Sequence, residues 1–216
     1  RAIPAVTTLG QRVEALFDAN GDVALVGVDQ AAGGPTLVRG FTPAGVATYS
    51  YDVQLGPASE SVEEAVLDGN GDIIVVGSAD TRATVAAFDT SSGQIEWQVF
   101  DSGAFGLGAR YVALARSANG EIAVAGESTL AGSSDVRVRT LDASGAVLWS
   151  VALDAGANTA ETVTDIEYSS DGALWVSGHT FASGQTTSFF LRFPRGSSVP
   201  ALLLWNSDPN LVWSQA

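Results

Sequence analysis

Two copies of an acidic turn motif have the residue types and spacing of a calcium loop. Their ligand-type residues are Asp18, Asn20, Asp22, Asp68, Asn70 and Asp72. Carboxylate and amide oxygens at alternate positions supply the front half of such a loop, which also needs a later carboxylate, here Asp29. Two further copies of the motif begin with Ser117 and Ser169 instead of Asp. A hairpin turn explains all four copies, so we expect no metal site and keep these residues as weak calcium candidates.

A second group of polar residues is predicted to share the loop face between repeats. Its members are His179, Glu127, Asp29, Arg110, Glu161 and Glu60, and His179 is the only histidine in the chain. This group is our candidate ligand-binding or partner-binding site. Trp213, which lies outside the repeated segments, is added as a candidate partner contact. No serine or cysteine context marks a nucleophile, so we predict no catalytic residue and no cofactor.

Charged residues also recur within the predicted strands. Acids occupy one position of the innermost strand and arginines appear on the third strand: Glu14, Glu64 and Asp165, and Arg39, Arg139 and Arg192. The acids could line a central channel and bind a cation. We favour the alternative that acids and arginines pair within or between repeats, which would help to fix register.

The elements that position these residues come from an internal repeat. Four segments align without gaps at the turn glycines Gly21, Gly71, Gly120 and Gly172, so the period is close to 50 residues. Each turn joins two apolar runs, and a second hairpin follows in every copy. Asn-Gly and Asp-Gly turns between such runs favour type I′ hairpins.

The repeat predicts an all-β fold, a β-propeller built from four repeats of about 50 residues, each a four-stranded antiparallel blade. We place the blades at about 11–55, 61–101, 110–154 and 161–206 of a single domain spanning 1–216. Residues 1–10 are a candidate latch strand, and 207–216 form a tail. The four repeats either close a small ring or form part of a larger one.

Composition excludes several classes of function. The 216-residue chain carries 24 acidic and 10 basic residues, a net charge of -14, and it has no Cys, Met or Lys. Disulfides, thiol nucleophiles and Schiff-base lysines are therefore absent. A nucleic-acid partner is not expected, because no basic patch can form to displace counterions from phosphate. No apolar run approaches the roughly 20 residues of a transmembrane helix.

The third repeat resembles the bacterial extracellular β-propeller repeats of the SBBP type. It combines Ser117–Gly126 with the run Asp135-Val-Arg-Val-Arg-Thr-Leu-Asp-Ala-Ser-Gly-Ala-Val-Leu-Trp-Ser150. The resemblance covers about residues 9–206, with Arg39, Arg139 and Arg192 where the family carries Lys. It implies a propeller scaffold in a secreted or surface protein, and it carries almost no information about activity.

Together these features predict a non-catalytic structural or protein-interaction module of a secreted or cell-surface bacterial assembly. We expect protein partners and an extracellular, cell-surface or periplasmic location. The alternative is a carbohydrate-binding or carbohydrate-processing propeller with its site on the loop face and a glycan as ligand. That alternative requires Glu60, Glu127, Glu161 and His179 to converge in one deep pocket.

Overall fold

The fold is seen in a computed structural model, which describes residues 9–29, 34–57, 59–101, 109–130, 133–154, 159–200, 202–203 and 214–215. All regular elements in these ranges are β-strands. Within them, no helix is long and apolar enough to cross a membrane. The all-β prediction is therefore confirmed.

The described strands form two four-stranded sheets and one nine-stranded sheet, and we call their four consecutive groups of strands blades 1 to 4. Blade 1 contains β1 Leu9–Phe17, β2 Val23–Asp29, β3 Thr36–Phe41 and β4 Ala47–Val53. Blade 2 contains β5 Glu60–Leu67, β6 Ile73–Ala79, β7 Arg82–Phe88 and β8 Ile95–Asp101. Blade 3 contains β9 Arg110–Arg116, β10 Ile122–Leu130, β11 Ser133–Leu141 and β12 Val147–Asp154. Blade 4 contains β13 Ala160–Tyr168, β14 Leu174–Ala182, β15 Gln185–Phe193 and β16 Leu202–Leu203, and β17 is Ser214–Gln215.

Sequential strands pair in antiparallel fashion within each blade. A single parallel bridge, Ser134 with Ala160, connects blades 3 and 4. The short strand β17 pairs with β12, the outer strand of blade 3. Residues 1–8 of the candidate latch lie outside the described residues, whereas Leu9 already pairs with Asp29 inside blade 1.

The Asn-Gly turns differ from the predicted type I′ geometry. Gly21 has a φ of +82°, but Asn20 is not among the residues of positive φ. The Gly21 amide donates to the Asp18 carbonyl, and the Asp18 amide donates to the Asp22 carbonyl. This is a three-residue loop in which a type I turn is followed by a left-handed glycine. The type I′ signature, two successive positive φ angles, occurs instead at Asp80–Thr81 and at Ser183–Gly184.

A glycine on the second strand faces an irregularity in the innermost strand. The register shifts between Val62 and Glu64 opposite Gly77, and blades 3 and 4 have the same irregularity. A Cβ on Gly126 would lie 2.0 Å from the Arg110 carbonyl oxygen. Only glycine permits this approach, so the repeated glycine belongs to a bulge geometry that recurs along the chain.

At each junction, the same side of a blade packs on the opposite side of the blade that precedes it. We call the side of a blade that contacts the preceding blade its front face, and the opposite side its back face. The front faces of blades 2, 3 and 4 contain Ile73, Val75 and Phe88; Ile122, Val124 and Leu141; and Leu174, Val176 and Phe193. The opposing back faces of blades 1, 2 and 3 contain Ala24, Val26 and Val38; Ile74, Val76 and Val85; and Ala123, Ala125 and Val138.

The described core is therefore divided among the three junctions between consecutive blades. Among the described strands, no ladder joins blade 4 to blade 1, and none of their apolar clusters spans these two blades. The described blades form an arc with an uncovered front face on blade 1 and an uncovered back face on blade 4.

Candidate functional site

In the calcium-like motifs, the aspartate oxygens that could bind a metal already accept hydrogen bonds from within the same turn. One Asp18 carboxylate oxygen accepts the amides of Asn20 at 2.9 Å and Asp22 at 2.8 Å, and the other accepts the Asn20 side chain. Asp68 makes the same contacts with Asn70 and Asp72. In the third copy the Ser117 hydroxyl accepts the Glu121 amide at 2.9 Å. A serine performs the same capping as the aspartate, which supports the structural interpretation of these residues.

Glu60 holds the connection between blades 1 and 2. One carboxylate oxygen accepts the amides of Leu55 at 2.6 Å and Gly56 at 3.0 Å. The other accepts the Thr36 amide at 3.1 Å and the Thr36 hydroxyl at 2.9 Å. Four hydrogen bonds to one carboxylate tie the first residue of β5 to the linker and to the start of β3. Glu60 therefore acts as a structural clasp.

Arg110, the first residue of β9, lies opposite Glu127 of β10 in blade 3. The Arg110 guanidinium lies 3.6 Å from Glu127 and 3.8 Å from Glu63, which belongs to blade 2. Burial raises the pKa of Glu127, while Arg110 and hydrogen bonds from Thr162 and the Val163 amide oppose that rise. These contacts connect three blades through one carboxylate and one guanidinium.

Glu161 lies in a different environment, among other carboxylates. Carboxylate oxygens of Asp135, Asp154 and Glu161 all lie within 4.8 Å of one another. Glu161 is fully buried, Asp135 is 6% exposed, and the Ser134 hydroxyl donates to the Glu161 carbonyl at 3.1 Å. Three such oxygens would supply up to half of the six to eight ligands that Ca²⁺ takes. This is the group of residues in the described ranges that could hold a metal.

The other candidate residues are dispersed. His179 is exposed on the back face of blade 4, and its Nδ1 lies 3.2 Å from the Ser188 hydroxyl. Asp29 ends β2, where its backbone pairs with Leu9. Trp213 lies outside the described residues. The structure therefore brings Arg110 and Glu127 into contact but gives Glu60, Glu161 and His179 separate partners.

The repeated arginines form ion pairs with aspartates outside the innermost strand, which corrects the favoured pairing with Glu14, Glu64 and Asp165. The pairs are Arg39 with Asp52, Arg139 with Asp101, and Arg192 with Asp171. Glu14 is opposite Val26, whereas Arg39 is opposite Leu25, so the two side chains project from opposite faces of blade 1.

Arg192 also differs from the other two arginines in its strand position. Arg39 and Arg139 are opposite Leu25 and Val124, each four residues after a turn glycine, and they belong to front faces. Arg192 is opposite Trp175, three residues after Gly172, and belongs to the back face of blade 4. The predicted equivalence therefore fails by one residue, which in a strand reverses the face.

The sequence analysis did not predict a buried polar network that lies at the junction of blades 2 and 3. Asp101 accepts hydrogen bonds from the Arg139 guanidinium at 3.0 Å and from the Tyr111 hydroxyl at 2.8 Å. Burial raises the pKa of Asp101 against the effects of Tyr111 and Arg139, and burial also raises the pKa of Tyr111. Asp101 ends β8 without any repeated motif, and only the docking of blade 3 on blade 2 brings its partners near.

Comparison with known proteins agrees with this architecture. The family described as outer membrane protein assembly factor BamB matches residues 10–213. No curated protein matches the chain. The family match and the structural matches below support a β-propeller repeat family, and the match is not to the SBBP type.

Several solved structures share the fold at low sequence identity. A polysaccharide lyase, the PL25 ulvan lyase, aligns with a TM-score of 0.56 and 10% identity over 91% of this chain and 58% of its own. The Dos1 propeller aligns with a TM-score of 0.53 and 13% identity over 90% of this chain and 59% of its own. Drosophila Plexin A, solved with Semaphorin 1b, gives 0.52 and 12% over 84% and 40%. The chain thus spans between 40% and 59% of these structures.

Proposed function

Because the chain belongs to the family described as outer membrane protein assembly factor BamB, we propose that it is a non-catalytic protein-interaction module of a secreted or cell-surface bacterial assembly. The observation that carries this proposal is the family match over residues 10–213. Propeller blades are rigid scaffolds whose surfaces vary independently of the fold, which suits the binding of partner proteins. The proposed location is extracellular, cell-surface or periplasmic, and the finer likeness to SBBP-type repeats is part of the same proposal.

The contacts of the candidate residues favour an interaction module over a carbohydrate-processing site. Glu60 accepts four hydrogen bonds from Thr36, Leu55 and Gly56. Glu127 pairs with Arg110, and His179 contacts Ser188 on an exposed face. General acid and base catalysis needs such groups to converge on one substrate position. Their separate structural roles support a scaffold without enzymatic activity.

Exposed apolar side chains offer the positions at which to test for a partner. Val46 is 62% exposed and Leu148 is 53% exposed, and both flank the second hairpin of their blades. We propose site-specific photo-crosslinking in native cell envelopes, with the crosslinking residue at Val46 or Leu148. The matched control carries it at Ser144, an exposed residue of a hairpin turn. A discrete crosslinked envelope protein at Val46 or Leu148, absent at Ser144, is the expected result.

The absence of a crosslinked partner would contradict the proposal. If neither position yields a heterologous product under conditions where the chain is folded and exported, the interaction proposal is wrong. Titration calorimetry against acidic and neutral oligosaccharides tests the carbohydrate alternative. Saturable binding that is lost in Glu127→Gln would support the alternative, because Glu127 belongs to the candidate loop-face site.

A further inference from the structure

The arginines of this chain differ in whether their backbone belongs to a strand. The chain has 10 Arg and no Lys, so a protease that cuts after basic residues can act only at an arginine. Arg195 is exposed and lies in the connection between β15 and β16. The other arginines of the described residues all lie in β-strands: Arg12, Arg39, Arg82, Arg110, Arg116, Arg137, Arg139 and Arg192.

The connection that contains Arg195 differs from the equivalent turns of the other blades. Residues 42–46, 89–94 and 142–146 join the third and fourth strands of blades 1, 2 and 3, whereas blade 4 uses residues 194–201. None of the three shorter turns contains an arginine. Blade 4 therefore combines the longest of these connections with a basic residue.

The shorter turns are also closed by hydrogen bonds that blade 4 does not repeat. In each, the amide of the first turn residue donates to the carbonyl of the last, at 2.8 to 3.0 Å: Thr42 to Val46, Asp89 to Gln94 and Asp142 to Ala146. The Asp89 and Asp142 carboxylates accept further amides of their own turns. Blade 4 has Pro194 at this position, and proline has neither an N–H nor a polar side chain. Neither kind of closure can form there.

The hydrogen bonds around Arg195 are confined to its own turn. The Ser197 amide donates to the Pro194 carbonyl at 2.9 Å, and the Ser197 hydroxyl bonds to the backbone of Val199. The ladder between β14 and β15 ends at Phe193, and no ladder among the described strands includes residues 194–200. A protease holds its substrate in an extended form, and opening an exposed turn costs less free energy than freeing a strand.

Side-chain exposure alone would favour other arginines as well. The side chain of Arg110 is 47% exposed and that of Arg82 is 39% exposed. The backbone of Arg82 pairs with Ala79 of β6, and that of Arg110 pairs with Glu127 of β10. Cleavage after either residue requires part of a blade to open, so the backbone and not the side chain distinguishes Arg195.

We propose that the peptide bond between Arg195 and Gly196 is a site of limited proteolysis by a trypsin-like serine protease. The protease serine attacks the Arg195 carbonyl carbon, and the bond to the Gly196 nitrogen breaks as the protease histidine protonates that nitrogen. Water then releases the Arg195 carboxylate from the protease. The cut separates β15 from β16 and leaves β1 to β15 in one fragment. This inference goes beyond the proposed function and does not rest on it.

Limited trypsin digestion of the folded chain tests the inference. The first products should be a fragment that begins at Gly196 and a fragment that ends at Arg195, both identified by mass, and the second should resist further digestion. Arg195→Gln should slow the loss of the near-full-length chain about 100-fold, because the remaining described sites require a blade to open. Arg82→Gln is the matched control and should leave the first cut unchanged.

A transplanted arginine separates the closure of a turn from its exposure. Ser144 is exposed and precedes Gly145 in the closed turn of blade 3, as Arg195 precedes Gly196, and both glycines have positive φ. Ser144→Arg, made in the Arg195→Gln chain, therefore places an exposed Arg-Gly bond in a closed turn. Cleavage there should be at least about 10-fold slower than at Arg195 of the wild type, because the Asp142 amide and carboxylate hold the turn.

Three results would overturn the inference. The first is an initial cut after Arg82 or Arg110, or a loss of the Arg195→Gln chain as rapid as that of the wild type. The second is equal cleavage at the introduced arginine and at Arg195, which would mean that exposure alone decides. The third is rapid breakdown of the fragment that ends at Arg195, which would make the cut a step of degradation. None of them affects the proposed interaction role, which is tested by crosslinking at Val46 and Leu148.

Discussion

Phe88 and Phe41 end the third strand of adjacent blades at the same register position, yet Phe88 is 1% exposed and Phe41 is only partly buried. The difference between them is the presence of a preceding blade and not the residue type. The same contrast separates Val75 from Leu25. Burial in this molecule is therefore created at junctions, and the stability of each blade depends on its neighbours, as in other repeat proteins.

The prediction with the largest expected effect compares the free energy of unfolding of alanine variants at these two phenylalanines. Phe88→Ala should lower the free energy of unfolding by about 3 to 5 kcal/mol, because it leaves a cavity in a packed junction. Phe41→Ala should cost about 1 kcal/mol, since its side chain already meets water in the single chain. Urea unfolding of the two variants measures both costs. Equal costs would contradict the contrast.

Two glycines extend the comparison to a crowded and an open position of the backbone. Gly126→Ala would place its Cβ 2.0 Å from the Arg110 carbonyl oxygen, across the bulge between β9 and β10. We expect a loss of about 3 kcal/mol, at the upper end of overpacking costs. Gly45 has a φ of +77°, and a Cβ at this residue would have no heavy atom within 4 Å. Gly45→Ala should therefore lose about 1 kcal/mol from backbone strain alone.

Thermal or urea unfolding of these two glycine variants provides the measurement. If Gly126→Ala proved as mild as Gly45→Ala, the bulge would be adaptable, and its repetition in blades 2, 3 and 4 would need another explanation.

A third prediction concerns the ion pairs of the two equivalent arginines. Burial raises the pKa of Asp101 in the folded protein, so the folded state binds this proton more tightly than the unfolded state. The contribution of Asp101 to stability is then greatest below its unfolded pKa of about 3.9 and declines as the pH rises through the folded value. Asp101→Asn removes this decline, and the variant should gain stability relative to wild type as the pH rises above about 4.

The equivalent change on the uncovered face should be small. Asp52, the partner of Arg39, has a side chain that is 62% exposed, and exposed pairs contribute between 0 and about 1 kcal/mol. Asp52→Asn is therefore the matched control in the same pH series of urea titrations. A wild-type curve that runs parallel to that of Asp101→Asn would show that the junction does not disfavour the charged carboxyl.

The smallest effect is expected in an exposed turn, where hydrogen bonds act without burial. Side-chain and backbone hydrogen bonds from Ser91 and Ser92 lower the pKa of Asp89 to about 2. Stability linked to this group is present above the unfolded pKa and is lost as the pH falls through about 2. Carbon-detected NMR titration should find this value, and Ser92→Ala should raise it. An unchanged titration in Ser92→Ala would remove the serine hydroxyl as a cause.

The sequence was sufficient to predict the strands and hairpins because each blade repeats its local signals. Glycines with positive φ occur at Gly21, Gly71, Gly120 and Gly172, where the alignment placed the turns. The turn type was wrong, because an Asn before Gly suits both a type I′ turn and a type I turn followed by a left-handed glycine. Local sequence does not distinguish the two loops.

The candidate site was predictable only in part, because its contacts depend on register and docking. Arg110 and Glu127 come from adjacent strands of one blade, and both belong to the predicted loop-face group. The sequence predicts that Arg192 is equivalent to Arg139, but the Arg192 strand is displaced by one residue relative to the turn. Asp101 finds Arg139 only when blade 3 docks on blade 2, and no spacing within one repeat encodes that contact.

The clasp formed by Glu60 has a consequence for the order in which the molecule folds. The Leu55 and Gly56 amides, and the start of β3 at Thr36, receive their acceptor from the first residue of blade 2. During synthesis from the amino terminus, blade 1 remains incompletely bonded until β5 has emerged and paired. Neighbouring blades should therefore gain hydrogen-exchange protection together, so that the cooperative folding unit is a junction and not a blade.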